Sequence, residues 1–243
     1  MPSTSTVGAA RGGVTPCRVA EMPAKPRIAL IHATRVAIDP IENAAQKLWP
    51  EAETISILDE GLSVDRSKSS ELTGDLLRRI VDLSRYAEAA QADGVLFTCS
   101  AFGAAIERAN FEACIPIMKP NEAMFDQAFS YGDRIAMIYT FKPAAGGMEE
   151  EFRETAAERG RSATVTSYFC DNALAAKQSG NDALHNELIA ETAASIKDAD
   201  VILLAQFSMA GAAEEVRKCT TLPVLTSPEA ALKEIRYRVE ERS

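Results

Sequence analysis

The chain has 243 residues, 47% of them hydrophobic, and a formal net charge of -9 at pH 7. That apolar content buries the core of one large domain or two small ones, while the negative balance argues against nucleic acid, whose phosphates demand a basic face. No apolar stretch approaches the roughly 20 residues of a membrane span, so a membrane partner is not expected either.

Residues 1–26 are rich in Gly, Ser, Thr and Pro, lack apolar periodicity and contain no continuous hydrophobic segment of the kind a secretory signal needs. They read as a disordered extension, with Met22-Pro23 as an alternative start. Arg27–Ala33 is then a short apolar run ending in polar residues, as a buried parallel strand does. Ile41–Leu48 reads as a helix capped by Asp39 with Pro40 at its first position. Thr54–Leu58 is a second strand. Gly74–Ala92 is an amphipathic helix, with Leu76, Ile80, Leu83 and Ala87 on one face. Gly94–Thr98 is a strand, Ala101–Asn110 its helix, Ile115–Met118 a further strand, and a helix starts at Glu122.

The same order follows again. Strands are predicted at Arg134–Tyr139, Ala163–Phe169, Val201–Ala205 and Pro223–Leu225, and helices near Met148–Arg159, Leu184–Lys197, Met209–Lys218 and Pro228–Glu240. The two copies are offset by about 107 residues: Arg27-Ile28-Ala29 returns as Arg134-Ile135-Ala136, Ala92-Asp93 as Ala199-Asp200, Pro116 as Pro223, and Glu122-Ala123 as Glu229-Ala230. Strand and helix alternating at this spacing imply parallel sheets. The expected fold is therefore α/β, with two pseudo-symmetric Rossmann-like subdomains, each a roughly four-stranded parallel sheet flanked by helices. The first subdomain covers 27–122 and the second 123–243, with the C-terminal helix, 228–243, able to pack on the first. Ligands bind beyond the carboxyl ends of parallel strands, which places the site in the cleft between the halves.

The loops at those strand ends carry the chemistry. In the first copy Thr98-Cys99-Ser100-Ala101 puts a cysteine where a strand ends and a helix begins. Unpaired N–H groups and the helix dipole there lower a thiol's pKa and favour a bound carboxylate, to which the Ser100 hydroxyl and the Ala101 backbone can add donors. The counterpart of Cys99 is Gln206, followed by Phe207 and Ser208, an amide that either orients a ligand or ties loops together. Thr34, Tyr139 and Thr140 line the other strand-end loops and can complete an anion pocket. His32 is a candidate second base, Arg35 a candidate carboxylate clamp and Lys119 a candidate for charge neutralisation.

Five cysteines without close pairs and only two histidines resemble neither a disulfide framework nor a zinc site. A reducing cytoplasm is the natural compartment, and no metal is expected. Cys114 and Cys219 precede strands, away from the cleft mouth, Cys170 reads as core, and His185 reads as a surface residue of an amphipathic helix. Gly146-Gly147 lacks the spacing and lysine of a phosphate-binding loop, so no nucleotide or other cofactor is expected.

A two-fold α/β repeat with Thr98-Cys99-Ser100 after a central strand resembles the aspartate/glutamate/hydantoin racemase superfamily, which also includes arylmalonate decarboxylases and maleate isomerases. The resemblance covers residues 27–243. It implies a cofactor-independent enzyme acting on a small carboxylate or amino-acid-like substrate, with cysteines from the two halves exchanging protons on opposite faces of an α-carbon. A homo-oligomer is compatible with it. Cys99 matches the first family cysteine, whereas Gln206 occupies the second position, and an amide neither abstracts nor delivers a proton at neutral pH. Racemisation then needs another base, with His32 available. Otherwise one-thiol chemistry of the arylmalonate decarboxylase type follows, with Ser100, Thr140, Gln206 and Ser208 as oxyanion donors and Phe102, Phe141, Phe207 and Met209 as an apolar surround. A nucleophilic Cys99 and a non-catalytic acid-binding module are the remaining readings.

Overall fold

The computed structural model describes residues 25–69 and 71–242. All but the last two residues of the expected N-terminal extension therefore lie outside the described residues.

Two parallel sheets of four strands form the framework. In the first, β1 (Arg27–His32) lies between β2 (Glu53–Leu58) and β3 (Gly94–Phe97), with β4 (Ile117–Met118) beyond β3. In the second, β5 (Arg134–Tyr139) lies between β6 (Thr164–Phe169) and β7 (Val201–Leu204), with β8 (Val224–Thr226) outermost. The order is the same in both, β2-β1-β3-β4 and β6-β5-β7-β8. The central strands are apolar on both faces because helices cover both, which is why Ile28–Ile31 and Val201–Leu204 are buried throughout.

The repeat extends to the anchors at the base of each sheet. Asp93 accepts a hydrogen bond from the Arg27 backbone N–H at 2.8 Å, and Asp200 accepts one from the Arg134 N–H at 2.9 Å. In the second copy the carboxylate also takes the Asp133 N–H at 3.0 Å. Gly132, at φ 156, makes room for it, since a Cβ there would stand 2.3 Å from the Asp200 carboxylate oxygen.

The helices are α1 (Ile38–Leu48), α2 (Glu60–Ser67), α3 (Gly74–Ala89), α4 (Gly103–Glu112) and α5 (Glu122–Ala128) in the first copy. The second contributes α6 (Ala145–Glu158), α7 (Ala173–Gln178), α8 (Asp182–Ser195), α9 (Ala213–Cys219) and α10 (Ser227–Glu240). Three expectations need correction. Helix α1 does not start on an Asp39 cap: a 3-10 turn over Arg35–Ala37 leads into it, Ala37 is the cap residue, and Asp39 sits in the first turn. Helix α3 stops at Ala89 rather than Ala92, because Gln91 adopts a left-handed φ of 61. The third is the presence of α2 and α7, absent from the sequence prediction. They follow the second strand of each copy and are short, eight and six residues.

The closing helices cross over between the copies. Helix α10 packs on α1 and β3, placing Ala231, Leu232, Ile235 and Val239 in one cluster with Ile28, Leu30, Ile41 and Leu96. Helix α5 packs on α6, β7 and β8, with the Phe125 and Phe129 rings each 5.5 Å from that of Phe152. Where the two helices begin, the Ser227 hydroxyl donates to Asn121 Oδ1 at 2.6 Å. Among the described residues, no helix is long and apolar enough to cross a membrane.

Candidate active site

In an open sheet of this order, the loops after β1 and β3 diverge to opposite faces and leave a crevice at the carboxyl edge. Two such crevices face each other here and enclose a cleft of about 350 Å³. Thr34, Val36 and Ala37 line it from the loop after β1, and Thr98, Cys99 and Ser100 from the loop after β3. Thr140, Phe141, Gln206, Phe207 and Ser208 line it from the corresponding loops of the second copy. The side walls are the two helices that the sequence did not reveal: α2 supplies Ser63, Val64 and Ser67, and α7 supplies Leu174 and Gln178. Among the described residues, no Asp, Glu, Lys, Arg or His lines the cleft.

Cys99 is half-buried and caps a three-residue 3-10 turn, Ser100–Phe102. The expected lowering of its pKa is overturned. Burial pushes the thiol up to about 11, against the opposing pull of the Ala101 N–H and the Arg66 guanidinium. Helix α4 begins only at Gly103, so its dipole is not focused on the sulfur. At neutral pH Cys99 is a thiol, an acid with a proton to give.

Gln206 is held firmly. Its Oε1 accepts from the backbone N–H and from the hydroxyl of Thr140, both at 2.7 Å. Because a backbone N–H only donates, the amide oxygen must face Thr140, which leaves the Nε2 protons as Gln206's available donors.

His32 does not reach the cleft. It is fully buried, with Nδ1 2.9 Å from Thr98 Oγ1 and Nε2 3.2 Å from Ser56 Oγ. The Ser56 hydroxyl donates to Glu42 at 2.7 Å. It therefore accepts from Nε2–H, and Nδ1 accepts from Thr98. Burial lowers the His32 pKa to about 4, so the ring is neutral at physiological pH and positions Thr98. The second-base expectation is corrected accordingly.

The other candidates divide in the same way. Tyr139 and Ala101 flank lining residues without lining the cleft themselves; the Tyr139 ring stacks obliquely on Phe169, 5.4 Å between centroids. Arg35 is engaged by Glu60 at 2.7 and 3.1 Å on the surface. Lys119 turns to Glu107 at 2.5 Å and Glu151 at 3.7 Å. Phe102 and Met209 are core residues, leaving Phe141 and Phe207 as the aromatic lining. Cys170 is buried in the second core and Cys219 is exposed at the end of α9. His185 is not a surface residue: it is fully buried, with Nδ1 2.8 Å from the Ala173 carbonyl and Nε2 3.2 Å from that of Ser208. Among the described residues, no group of three or more His, Cys, Asp or Glu is placed to hold a metal ion.

A family model described as Asp/Glu/Hydantoin racemase matches residues 28–235. The chain belongs to that family. The fold is shared with glutamate racemase from Francisella tularensis subsp. tularensis SCHU S4 in complex with D-glutamate, at a TM-score of 0.71 and 13% identity, covering 90% of this chain and 82% of that one. Allantoin racemase from Klebsiella pneumoniae is similar at a TM-score of 0.67 and 17% identity, with 89% of each chain covered. A liganded mutant of arylmalonate decarboxylase matches at a TM-score of 0.61 and 16% identity, covering 88% of this chain and 93% of that one. Comparison with curated protein sequences gives no match.

Proposed function

We propose that the protein is a cofactor-independent enzyme in which Cys99 transfers a proton at the carbon α to a carboxylate of a small acid. The observation that carries this reading is the asymmetry of the cleft. Among the described residues Cys99 is the one cysteine lining it, and its counterpart across the repeat is an amide locked to Thr140. One face of a substrate carbon meets an acidic proton, and the opposite face meets a hydrogen-bond donor.

Within this family that arrangement favours a reaction needing a single protonation over two-base racemisation. For a substituted malonate, one C–C bond to a carboxylate breaks and carbon dioxide leaves. The electron pair enters an enediolate, Cys99 Sγ–H protonates its α-carbon, and solvent returns the proton to sulfur. Gln206 Nε2, the Ser100 hydroxyl and loop N–H groups supply the donors an enediolate requires. Phe141, Phe207, Val36, Val64 and Leu174 supply an apolar surround that disfavours a departing carboxylate's charge. Among the described residues the cleft offers no carboxylate to a free α-ammonium, which favours acids without one. Family membership keeps racemisation as the second reading, which needs a proton donor opposite Cys99 other than the Gln206 amide.

Proton NMR in D2O with substituted malonates, hydantoins, 2-hydroxy acids and amino acids, on wild type and Cys99→Ala, tests the proposal. Deuterium incorporation into one enantiomer with release of carbon dioxide, lost in the variant, is the expected result. Exchange with loss of optical rotation, lost in the variant, establishes racemisation instead. Turnover that survives in Cys99→Ala sinks both.

A further inference from the structure

Arg66, on α2, is only 7% exposed and has three backbone carbonyls as partners. Its Nε donates to Ala101 at 3.1 Å, Nη1 to Ser69 at 2.6 Å and Nη2 to Pro143 at 2.9 Å. Among the described residues, no Asp or Glu oxygen lies within salt-bridge distance of it. A buried guanidinium is ordinarily compensated by a carboxylate, because carbonyl dipoles replace its hydration but leave its net charge in place. That charge sits against the turn following Cys99, since Ala101 gives its carbonyl to Arg66 and its N–H to the Cys99 sulfur. Pro143 belongs to the second copy, so the guanidinium is held from both sides of the cleft.

The repeat supplies an internal comparison. The counterpart of Ala101 is Ser208, and its carbonyl is also met by a buried side chain, His185 Nε2 at 3.2 Å. Burial lowers the pKa of that imidazole, so any charge it carries is not permanent. The loop that carries the thiol thus has a permanent cation beneath it, and the loop that carries the amide does not.

We infer that Arg66 is a positioning residue that stabilises the Cys99 thiolate formed in each cycle and the anionic substrate above it, without touching either. The inference rests on the assignment of Cys99 as the proton-transfer group. It explains how a cleft lined by neutral side chains holds two negative charges in sequence: the compensating charge is placed one layer below the lining. Arg66 is the charged group among the described residues that acts on Cys99.

The test is the pH dependence of Cys99 alkylation by iodoacetamide, read site by site by mass spectrometry in the full chain, for wild type, Arg66→Met and Arg66→Lys. Arg66→Met is expected to displace the profile by about one pH unit, so that alkylation at a fixed pH slows roughly tenfold. Arg66→Lys, which keeps the charge and loses most of the carbonyl bonds, is expected to stay within about threefold of wild type while melting at a lower temperature. A folded Arg66→Met with the wild-type profile overturns the inference. If Arg66→Met does not fold, Arg66→Lys decides, and a displacement near tenfold in that variant overturns it. Alkylation is read without turnover, so a Cys99→Ala protein that remains active would remove the catalytic assignment while leaving the charge effect separately measured.

Discussion

Thr140 and Gln206 are joined by two hydrogen bonds to one oxygen: the Thr140 N–H and hydroxyl both reach Gln206 Oε1 at 2.7 Å. This pair connects the two strand-end loops of the second copy and occupies the position where a second thiol would complete a symmetric site. Replacing Gln206 by Ala strands a partly buried N–H, at a cost of about 1–3 kcal/mol, so the thermal midpoint should fall by several degrees. Calorimetry checks this.

Gln206→Cys tests the chemistry of the same position. It places a thiol where the repeat puts the counterpart of Cys99. The variant should gain α-deuterium exchange with loss of enantiomeric purity, measured by chiral chromatography of product formed in D2O. A product of unchanged purity would mean that the opposite face is closed to proton delivery.

Glu151 carries a pH dependence of stability. It is 4% exposed, and burial raises its pKa to about 8 from an ordinary 4.5, despite nearby Lys119. The folded state therefore holds this proton while the unfolded state releases it above pH 4.5. Stability is lost as pH rises from about 4.5 to 8, and is level on either side of that window. Denaturant titrations of Glu151→Gln at pH 5 and pH 8.5 should show a smaller difference between the two than wild type shows.

His32 acts with the opposite sign on the pH axis. Its folded pKa of about 4 lies below the ordinary 6.5, so the unfolded state takes up the proton first and stability is lost as pH falls from 6.5 towards 4. His32→Gln should flatten that limb. Since His32 supports Thr98 from behind and lies outside the cleft, the variant should also retain measurable turnover; complete loss in a folded protein would restore it as a base.

Val64 stands 52% exposed where α2 meets the cleft. Val64→Arg introduces a cation into a lining that has none among the described residues, so KM should fall for acids bearing a second, distal carboxylate and rise for those with an apolar substituent. Parallel kinetics on one substrate of each kind checks the shift.

The alternation of strands and helices, the inter-lobe cleft and the Cys99–Gln206 asymmetry were legible because the central parallel strands announce themselves as apolar runs and the second copy repeats the first; the order of the strands within each sheet was not. Helices α2 and α7 were not. The first buries just Leu62 and Arg66, and one of those is a cation, so its residues show no apolar stripe. The second is an Ala-rich segment entered through Asn172 in the left-handed region. Their lining residues, Ser63, Ser67, Leu174 and Gln178, were lost with them. His185 was misplaced for a related reason: α8 has too even a distribution of apolar residues to show which face turns inward. The Cys99 thiol was misjudged because position predicts the helix dipole but not the depth of burial, and burial dominates.

The crossing of α5 and α10 has a consequence for biosynthesis. Leu232, Ile235 and Val239 complete the cover over Ile28, Leu30 and Leu96, so the first sheet keeps an apolar face open to water until the last fourteen-residue helix has been made. The amino-terminal lobe, expressed without α10, is expected to expose that face and bind a hydrophobic dye. Any stop before α10 leaves that face uncovered for chaperones or proteases to find.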